Sequence, residues 1–426
     1  MSPTNRNKSG SGFIVILAAI FLILIVYAVF FKSSGSTASK NKSGVTTVIS
    51  GNQSGTSSTA VSTGTSGLPF ANPAGNTVTA GPNLKAGSDP SVLPSDVLIA
   101  DDSGNQILIV TPAGKIVWQL TLTEPDDAFF TENGQDIMVT QEDHQMISLV
   151  NIATKKFIWR YGTPETPGSG PNQVDNPDDA MLLPNNYVVF GDIKNCSVVF
   201  LKVGSQVPYK RIGLLDTNCY HNPPYRFGSP NGAFPLTDGN FLITEINGDW
   251  VDEMTPSGHI LWSVHPPGIV YPSDTNEVSP GVYLTVDYST AGQLIKFNQQ
   301  GQLLWKYTPT TANGQLNHPS LCESIPTNGY ILCNDDYDDR VIVINPNTNT
   351  IVWQYGHKGV VGTTPGYLNE PDGVDLAPPY SMLIKNASTI GTASSSCWAA
   401  NVCTYGINAT SSGQSTVVGT NPPPGG

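Results

Sequence analysis

A five-residue phrase ending in tryptophan returns five times along this chain: Gly114-Lys-Ile-Val-Trp118, Lys155-Lys-Phe-Ile-Trp159, Gly258-His-Ile-Leu-Trp262, Gly301-Gln-Leu-Leu-Trp305 and Asn349-Thr-Ile-Val-Trp353. Residues 207–212 stand where a degenerate sixth copy belongs. A second phrase opens each unit with proline and small polar residues, as Pro125-Asp-Asp, Pro177-Asp-Asp, Pro230-Asn-Gly, Pro272-Ser-Asp, Pro319-Ser-Leu and Pro371-Asp-Gly, at intervals of 42 to 53 residues. Between the two phrases an apolar run ends in an acid: Asp102, Glu142, Asp192, Glu245, Asp287 and Asp336. Repetition at this period means that each unit is one supersecondary element, which buries its apolar face only by stacking on its neighbours.

Each unit reads as four short strands, with apolar runs such as Tyr187-Val-Val-Phe190 and Val341-Ile-Val-Ile344 bounded by Gly, Asn, Asp and Pro turns. Only 12% of residues are charged, while Gly (42) and Pro (34) are abundant, which favours turns and strands over surface helices. Four strands per repeat of this length make a propeller blade. The last opening phrase, at Pro371, has no tryptophan phrase after it, and the missing strands lie at residues 96–120. The expected fold is therefore an all-β, six-bladed β-propeller over residues 95–385, closed by pairing the C-terminal strand with the N-terminal ones so that no sheet edge is left open.

Asp96-Val-Leu-Ile-Ala-Asp-Asp-Ser-Gly-Asn-Gln-Ile-Leu-Ile-Val110 and Glu370-Pro-Asp-Gly-Val374 resemble NHL-type propeller repeats, and the Gly-x-x-x-Trp phrases resemble those of quinoprotein-like and arylsulfotransferase-like propellers. The NHL resemblance implies binding to proteins or other ligands. The other two families include enzymes, but a convincing equivalent of their active-site signatures is missing here, and quinoprotein enzymes have more blades.

Outside the repeats, residues 13–31 (FIVILAAIFLILIVYAVFF) carry no charge and are long enough to cross a bilayer as one transmembrane signal-anchor helix. Residues 1–12 would then be a short cytoplasmic segment. Residues 32–94 are dominated by Ser, Thr, Gly, Asn and Ala, the composition of a disordered stalk, and residues 386–426 form a tail of similar character. Arg6 and Lys8 before the apolar run are balanced by Lys32, Lys40 and Lys42 after it, so charge does not set the orientation. Sequons at Asn41, Asn52, Asn195, Asn386 and Asn408, together with six cysteines, favour a cell-membrane protein with its propeller on the extracytoplasmic side. Cys322 and Cys333 fall opposite each other in a hairpin centred on Thr327-Asn328, within disulfide reach. Cys196 with Cys219, and Cys397 with Cys403, are the other expected pairs. The net charge of −13 repels nucleic-acid phosphates.

The opening phrases are expected where the innermost strands enter the central channel. That position makes a polar ring of Glu124, Asp126, Asn176, Asp178, Ser229, Asn231, Tyr271, Ser273, His318, Ser320, Glu370 and Asp372. Of these, Glu124, Asp126, Asp178, Glu370 and Asp372 suit a hard divalent cation such as calcium, and His318, Asp178 and Asp372 are the candidate catalytic groups. The structural alternative is that small polar residues cap turns and solvate the channel. Asn334-Asp-Asp-Tyr-Asp-Asp-Arg340 reads either as a turn capped by Asp336 or as a local ion site, and the repeated tryptophans read as packing between blades. The functional expectation is a non-enzymatic binding or scaffold module that presents its loop face to a protein or carbohydrate partner. The alternative is an enzyme, either a metal-dependent, lactonase-like hydrolase using the channel carboxylates or an arylsulfotransferase-like enzyme using His318.

Overall fold

The computed structural model describes residues 78–183, 186–215 and 218–383. Six antiparallel sheets form the body, and in each the strand that follows an opening phrase lies innermost. Blade 1 runs outward as Pro371–Leu376, Val97–Asp101, Gln106–Val110 and Ile116–Thr121, so its inner strand comes from the end of the repeat array and its other three from the beginning. The ring is thus closed by main-chain pairing, with Val97 opposite Leu376 and Ile99 opposite Val374. Blade 2 comprises Ala128–Phe130, Asp136–Gln141, Met146–Asn151 and Lys156–Gly162, and blade 3 comprises Pro177–Leu183, Tyr187–Asp192, Ser197–Lys202 and Lys210–Ile212. Blade 4 comprises Pro230–Pro235, Phe241–Glu245, Trp250–Met254 and Ile260–Val264. Blade 5 comprises Pro272–Ser279, Val282–Asp287, Thr290–Phe297 and Leu303–Lys306, with the short strand Leu316–Asn317 added. Blade 6 comprises Cys322–Ser324, Ile331–Asp335, Arg340–Asn345 and Thr350–Gly356. The degenerate sixth tryptophan phrase is the outer strand of blade 3.

The tryptophan phrase has a structural cause. In five blades the pairing of the outer two strands slips next to the tryptophan: Ile109 faces Trp118, for instance, and Val110 then faces Ile116. The extra residue of each bulge is the one just before the tryptophan, and Val117, Ile158, Leu261 and Leu304 are exposed although apolar. The bulge turns the indole toward the next blade. There the Nε1–H of Trp118 donates to Ile152 O at 2.8 Å, that of Trp305 to Pro346 O at 3.1 Å and that of Trp353 to Pro112 O at 2.8 Å. In blade 4 the corresponding Trp262 donates instead to Glu253 Oε2 of its own sheet, at 2.6 Å.

The folded body begins before residue 95, which corrects the expected stalk boundary. Leu84 pairs with Tyr355, Lys85 N donates to Gln354 O at 3.1 Å and Asp89 N to Val352 O at 2.8 Å, so this segment runs along the outer strand of blade 6. Leu84, Val92 and Leu93 are buried against the core. A Ser/Gly-rich composition hid these three anchors. Among the described residues no helix is long and apolar enough to cross a membrane, and residues 13–31 lie outside the described residues, as do Asn41, Asn52, Asn386, Asn408, Cys397 and Cys403.

Among the described residues there are two disulfides. Cys322 and Cys333 face each other across the first hairpin of blade 6, with Cα atoms 4.1 Å apart. Cys196 and Cys219, 5.0 Å apart at Cα, bracket the outer hairpin of blade 3.

Candidate functional site

The site is positioned by a clamp that repeats in every blade. The last residue of each second strand is Asp101, Gln141, Asp192, Glu245, Asp287 or Asp335, and its side chain holds the loop entering an inner strand. Asp101 accepts from Asn369 N at 2.7 Å, Asp192 from Asp175 N at 2.8 Å, Asp287 from Tyr271 N at 2.9 Å and Asp335 from Asn317 N at 2.7 Å. Glu245 accepts from Gly228 N, and Gln141 donates to Thr123 O at 2.5 Å. Three acids of the expected series therefore stand one residue too far along. Asp102, Glu142 and Asp336 are not clamps or turn caps; they lie past the strand end and border the channel mouth or its interior.

Beyond the clamp, in every blade but the fifth, the chain turns through a left-handed residue directly before the proline: φ is 43° at Glu124, 54° at Asn176, 57° at Ser229, 55° at His318 and 59° at Glu370. For non-glycine residues this conformation is sparsely populated and persists only where the surroundings over-determine it. Here the clamp and the proline supply that determination. The inner strands then begin with a bulge in blades 1, 3, 4 and 5. Regular pleating sends neighbouring side chains to opposite faces, but a bulge breaks that alternation. Asp178 and the following Asp179 consequently turn into one cluster with Asp127, with one carboxylate oxygen from each lying within 4.8 Å of the others. Gly232, on the neighbouring blade, makes the room: a Cβ there would strike the Asp179 carboxylate.

The channel holds a cavity of about 90 Å³ lined by Asp127, Glu142, Asp178, Asp274, Asp372 and Tyr288, together with Asn231, Tyr271, Ser273 and Ser320. It opens beside a mouth of about 360 Å³ bordered by Asp102, Glu124, Asp126, Glu142, Asp143 and Glu370. Asp126, Glu142 and Asp178 form a second set of carboxylates within 4.8 Å of one another. Among the described residues no lysine or arginine lines either space. Burial pushes the carboxyls of Asp126, Asp127, Asp178 and Asp179 well up, reinforced by their acidic neighbours, and pushes Asp274 and Glu142 to about 7. Asp336 is raised by burial and then by Asp372. Asp127, Asp179, Asp274 and Asp336 keep buried carboxylate oxygens without hydrogen-bond partners. Two charges 4 Å apart repel by about 4 kcal/mol at an effective dielectric of 20. This cluster is therefore stable only with several protons or with a cation, and its all-oxygen donor set fits a hard divalent ion such as calcium.

Of the expected ring, Asp178 and Asp372 reach the cavity, Asp126, Glu124 and Glu370 border the mouth, and Asn231, Tyr271, Ser273 and Ser320 line the cavity. Asn176 bridges two acids, its Nδ2 donating to Glu142 Oε1 at 2.7 Å and Asp143 Oδ1 at 3.1 Å, and the Ser229 hydroxyl accepts from Asn247 Nδ2 at 2.8 Å. His318 belongs to an aromatic group, with ring centres 4.3 Å from Tyr337 and 4.9 Å from Tyr288, which in turn lies 5.5 Å from Tyr271. Its Nδ1 faces Asn317 Oδ1 at 3.0 Å and Thr290 Oγ1 at 3.5 Å, and burial lowers its pKa. The loop face thus has an acidic wall and an aromatic wall.

Asp127, Asp179 and Asp274 were missed in the sequence because alternation allows one inward residue per phrase. The doubled acids of Pro125-Asp-Asp and Pro177-Asp-Asp were the available signal. In the acidic run 334–340 two acids are paired with cations: Arg340 binds Asp335 at 2.6 Å, and Lys358 lies 2.5 Å from Asp338. Asn195 of the third sequon is buried, and its Nδ2 donates to Asp192 Oδ1 and Oδ2 and to Gly168 O, each at 3.0 Å, bonds that a glycan on that nitrogen would have to displace.

Fold and site define the class as a six-bladed β-propeller with an acidic central channel. No protein-family model matches the chain, and no curated protein matches it in sequence. Solved structures similar in form include a streptogramin B lyase, 16% identical over 67% of this chain and 88% of that one with a TM-score of 0.46. The nidogen/laminin complex matches at 14% identity over 66% and 98%, TM-score 0.48. A Bacteroides caccae protein of unknown function matches at 15% over 66% and 97%, TM-score 0.47. None of these likenesses bears on the chemistry of the site.

Proposed function

We propose that this chain is a binding propeller, tethered to the cell membrane through residues 13–31 and facing outward. In this reading a divalent cation such as calcium sits among Asp127, Asp178 and their neighbours, and a carbohydrate partner docks on the loop face beside it. The observation that carries the reading is Asp178, shared between two carboxylate triads in a buried channel with no basic side chain along its lining. The aromatic wall supports a carbohydrate, since Tyr271 and Tyr337 expose ring faces that can stack on a sugar while nearby carboxylates accept from its hydroxyls. The two disulfides support an extracytoplasmic setting. A protein partner is the second reading, favoured by the exposed Leu214, Leu215 and Tyr225 on the loop into blade 4. The hydrolase alternative would draw on the same cation and the channel carboxylates, and the arylsulfotransferase-like alternative on His318, whose Nδ1 faces Asn317 Oδ1 and Thr290 Oγ1; binding is preferred.

A glycan array probed with the purified chain tests the reading. Calcium-dependent capture of a defined glycan, abolished by chelator and by Tyr337→Ala, is expected. Uniform silence across the array in calcium would overturn the carbohydrate assignment and leave the protein reading to a proximity-labelling experiment.

A further inference from the structure

A second cluster lies away from the channel, in blade 4. Asp252 occupies the third-strand position that pairs with the residue two before the clamp. In the other blades that position holds Leu108, Ser148, Val199, Ile295 or Ile342. Blade 4 alone places a carboxylate there, opposite Ile243 and on the same face of the sheet as Glu245. Both side chains are fully buried, and neither oxygen of Asp252 makes a hydrogen bond of acceptable geometry, although Ser263 faces it across the next strand. A buried, unpaired carboxylate costs several kcal/mol, and one standing against a second carboxylate costs more.

The third member is His221, delivered by the loop between blades 3 and 4. Its Nδ1 lies 3.1 Å from Glu245 Oε1 and 3.9 Å from Asp252 Oδ2. The three donor atoms lie within 4.8 Å of one another. The loop is held in place: the disulfide at Cys219 ends two residues before His221, Asn247 Nδ2 donates to Cys219 O at 3.2 Å, and the imidazole stacks on Trp250 with centres 4.0 Å apart and planes at 11°.

We propose that His221, Glu245 and Asp252 form a second metal site, selective for a borderline divalent ion of the zinc class. Imidazole nitrogen and carboxylate oxygen are both zinc ligands, and three protein donors leave a fourth position open to water. Bonds of about 2.0–2.2 Å place tetrahedral donor atoms roughly 3.3–3.6 Å apart, so the pair at 3.1 Å need only widen and the pair at 3.9 Å only close by small side-chain movements. The ion satisfies the orphan oxygens of Asp252, neutralises the carboxylate pair and links the disulfide-tied loop to the blade. The mixed N,O set separates this site from the all-oxygen channel.

The test is zinc content and zinc titration of the full chain in detergent, with calcium present to occupy the channel. Trp250 fluorescence serves as a local reporter. Wild type and Asp178→Asn are expected to keep one zinc per chain through dialysis and to show a zinc-dependent fluorescence change. His221→Ala and Asp252→Leu are expected to lose both. Asp252→Leu restores the residue type of blade 1 and should fold, so loss of zinc there is not a folding artefact. Failure of the wild-type chain to bind zinc, or retention of full stoichiometry by both variants, would overturn the proposal and leave the Glu245 and Asp252 carboxyls sharing a proton.

Discussion

Replacing Arg340 with methionine removes the positive charge on which the acidic run of blade 6 depends. The guanidinium is fully buried. It binds Asp335 Oδ2 through Nε at 2.7 Å and donates to Asn313 O at 2.9 Å, Gln315 O at 3.0 Å and Gln354 Oε1 at 3.3 Å. Methionine fills most of the volume, so the loss is electrostatic rather than a cavity. Breaking a buried pair from one side costs about 3–5 kcal/mol, because the remaining charge has neither water nor partner. Asp335, already raised to about 6 by burial against the opposing pull of Arg340, would take up a proton, which caps the penalty near that range. At roughly 2–4 °C per kcal/mol, the melting temperature should fall by about 6–20 °C in a thermal scan of the purified chain. Adding Asp335→Asn to Arg340→Met should recover part of the loss, since no stranded charge remains. A single variant that melts within about 1 kcal/mol of wild type would refute the claim that this run is a structural ion pair.

Other consequences follow from the same geometry. In chelator, stability should fall as pH rises from about 4 through the range where Asp274 and Glu142 (about 7) and Asp102 (about 8) ionise, because raised carboxyls stabilise the fold only while protonated. Calcium should therefore raise the melting temperature at pH 8 far more than at pH 5; equal effects at both would count against a channel cation. Gly232→Ala drives a methyl into the Asp179 carboxylate, and calorimetry should show it weakening calcium binding as well as stability, whereas an unchanged calcium isotherm would show that Asp179 is not part of the cluster. Opening the disulfide between Cys322 and Cys333, which spans 11 residues, with the double serine variant should cost about 3 kcal/mol by loop-closure entropy, measured by urea denaturation. A loss under about 1 kcal/mol would mean that the hairpin is held in the unfolded chain by other means.

Much of the fold was written in periodic features that depend on local chemistry. The tryptophan phrase marks a bulge repeated in five blades, and a bulge needs the same short pattern each time. Cys322 and Cys333 were legible because hairpin register is arithmetic once the turn is placed. What escaped reading lay where the backbone departs from regularity. The bulges at the start of the inner strands turned Asp179 and Asp274 inward, and the clamp residues Asp101, Gln141 and Asp335 lie one residue before three of the acids that the pattern suggested. Leu84 and Val92 were lost inside a Ser/Gly-rich stretch although each finds a buried place. Asp252 carried a signal that went unused: in an aligned repeat it is a carboxylate where the other blades have mainly aliphatic residues.

The central claim is that the channel carboxylates hold a cation. The most direct measurement is a long-wavelength anomalous difference map from crystals of the folded domain grown in calcium. One strong peak is expected in the channel, about 2.3–2.6 Å from a carboxylate oxygen of Asp178 and from oxygens of its neighbours Asp127, Asp126 or Asp372. A channel without a peak at saturating calcium, with Asp127 and Asp178 in direct contact through a shared proton, would contradict it.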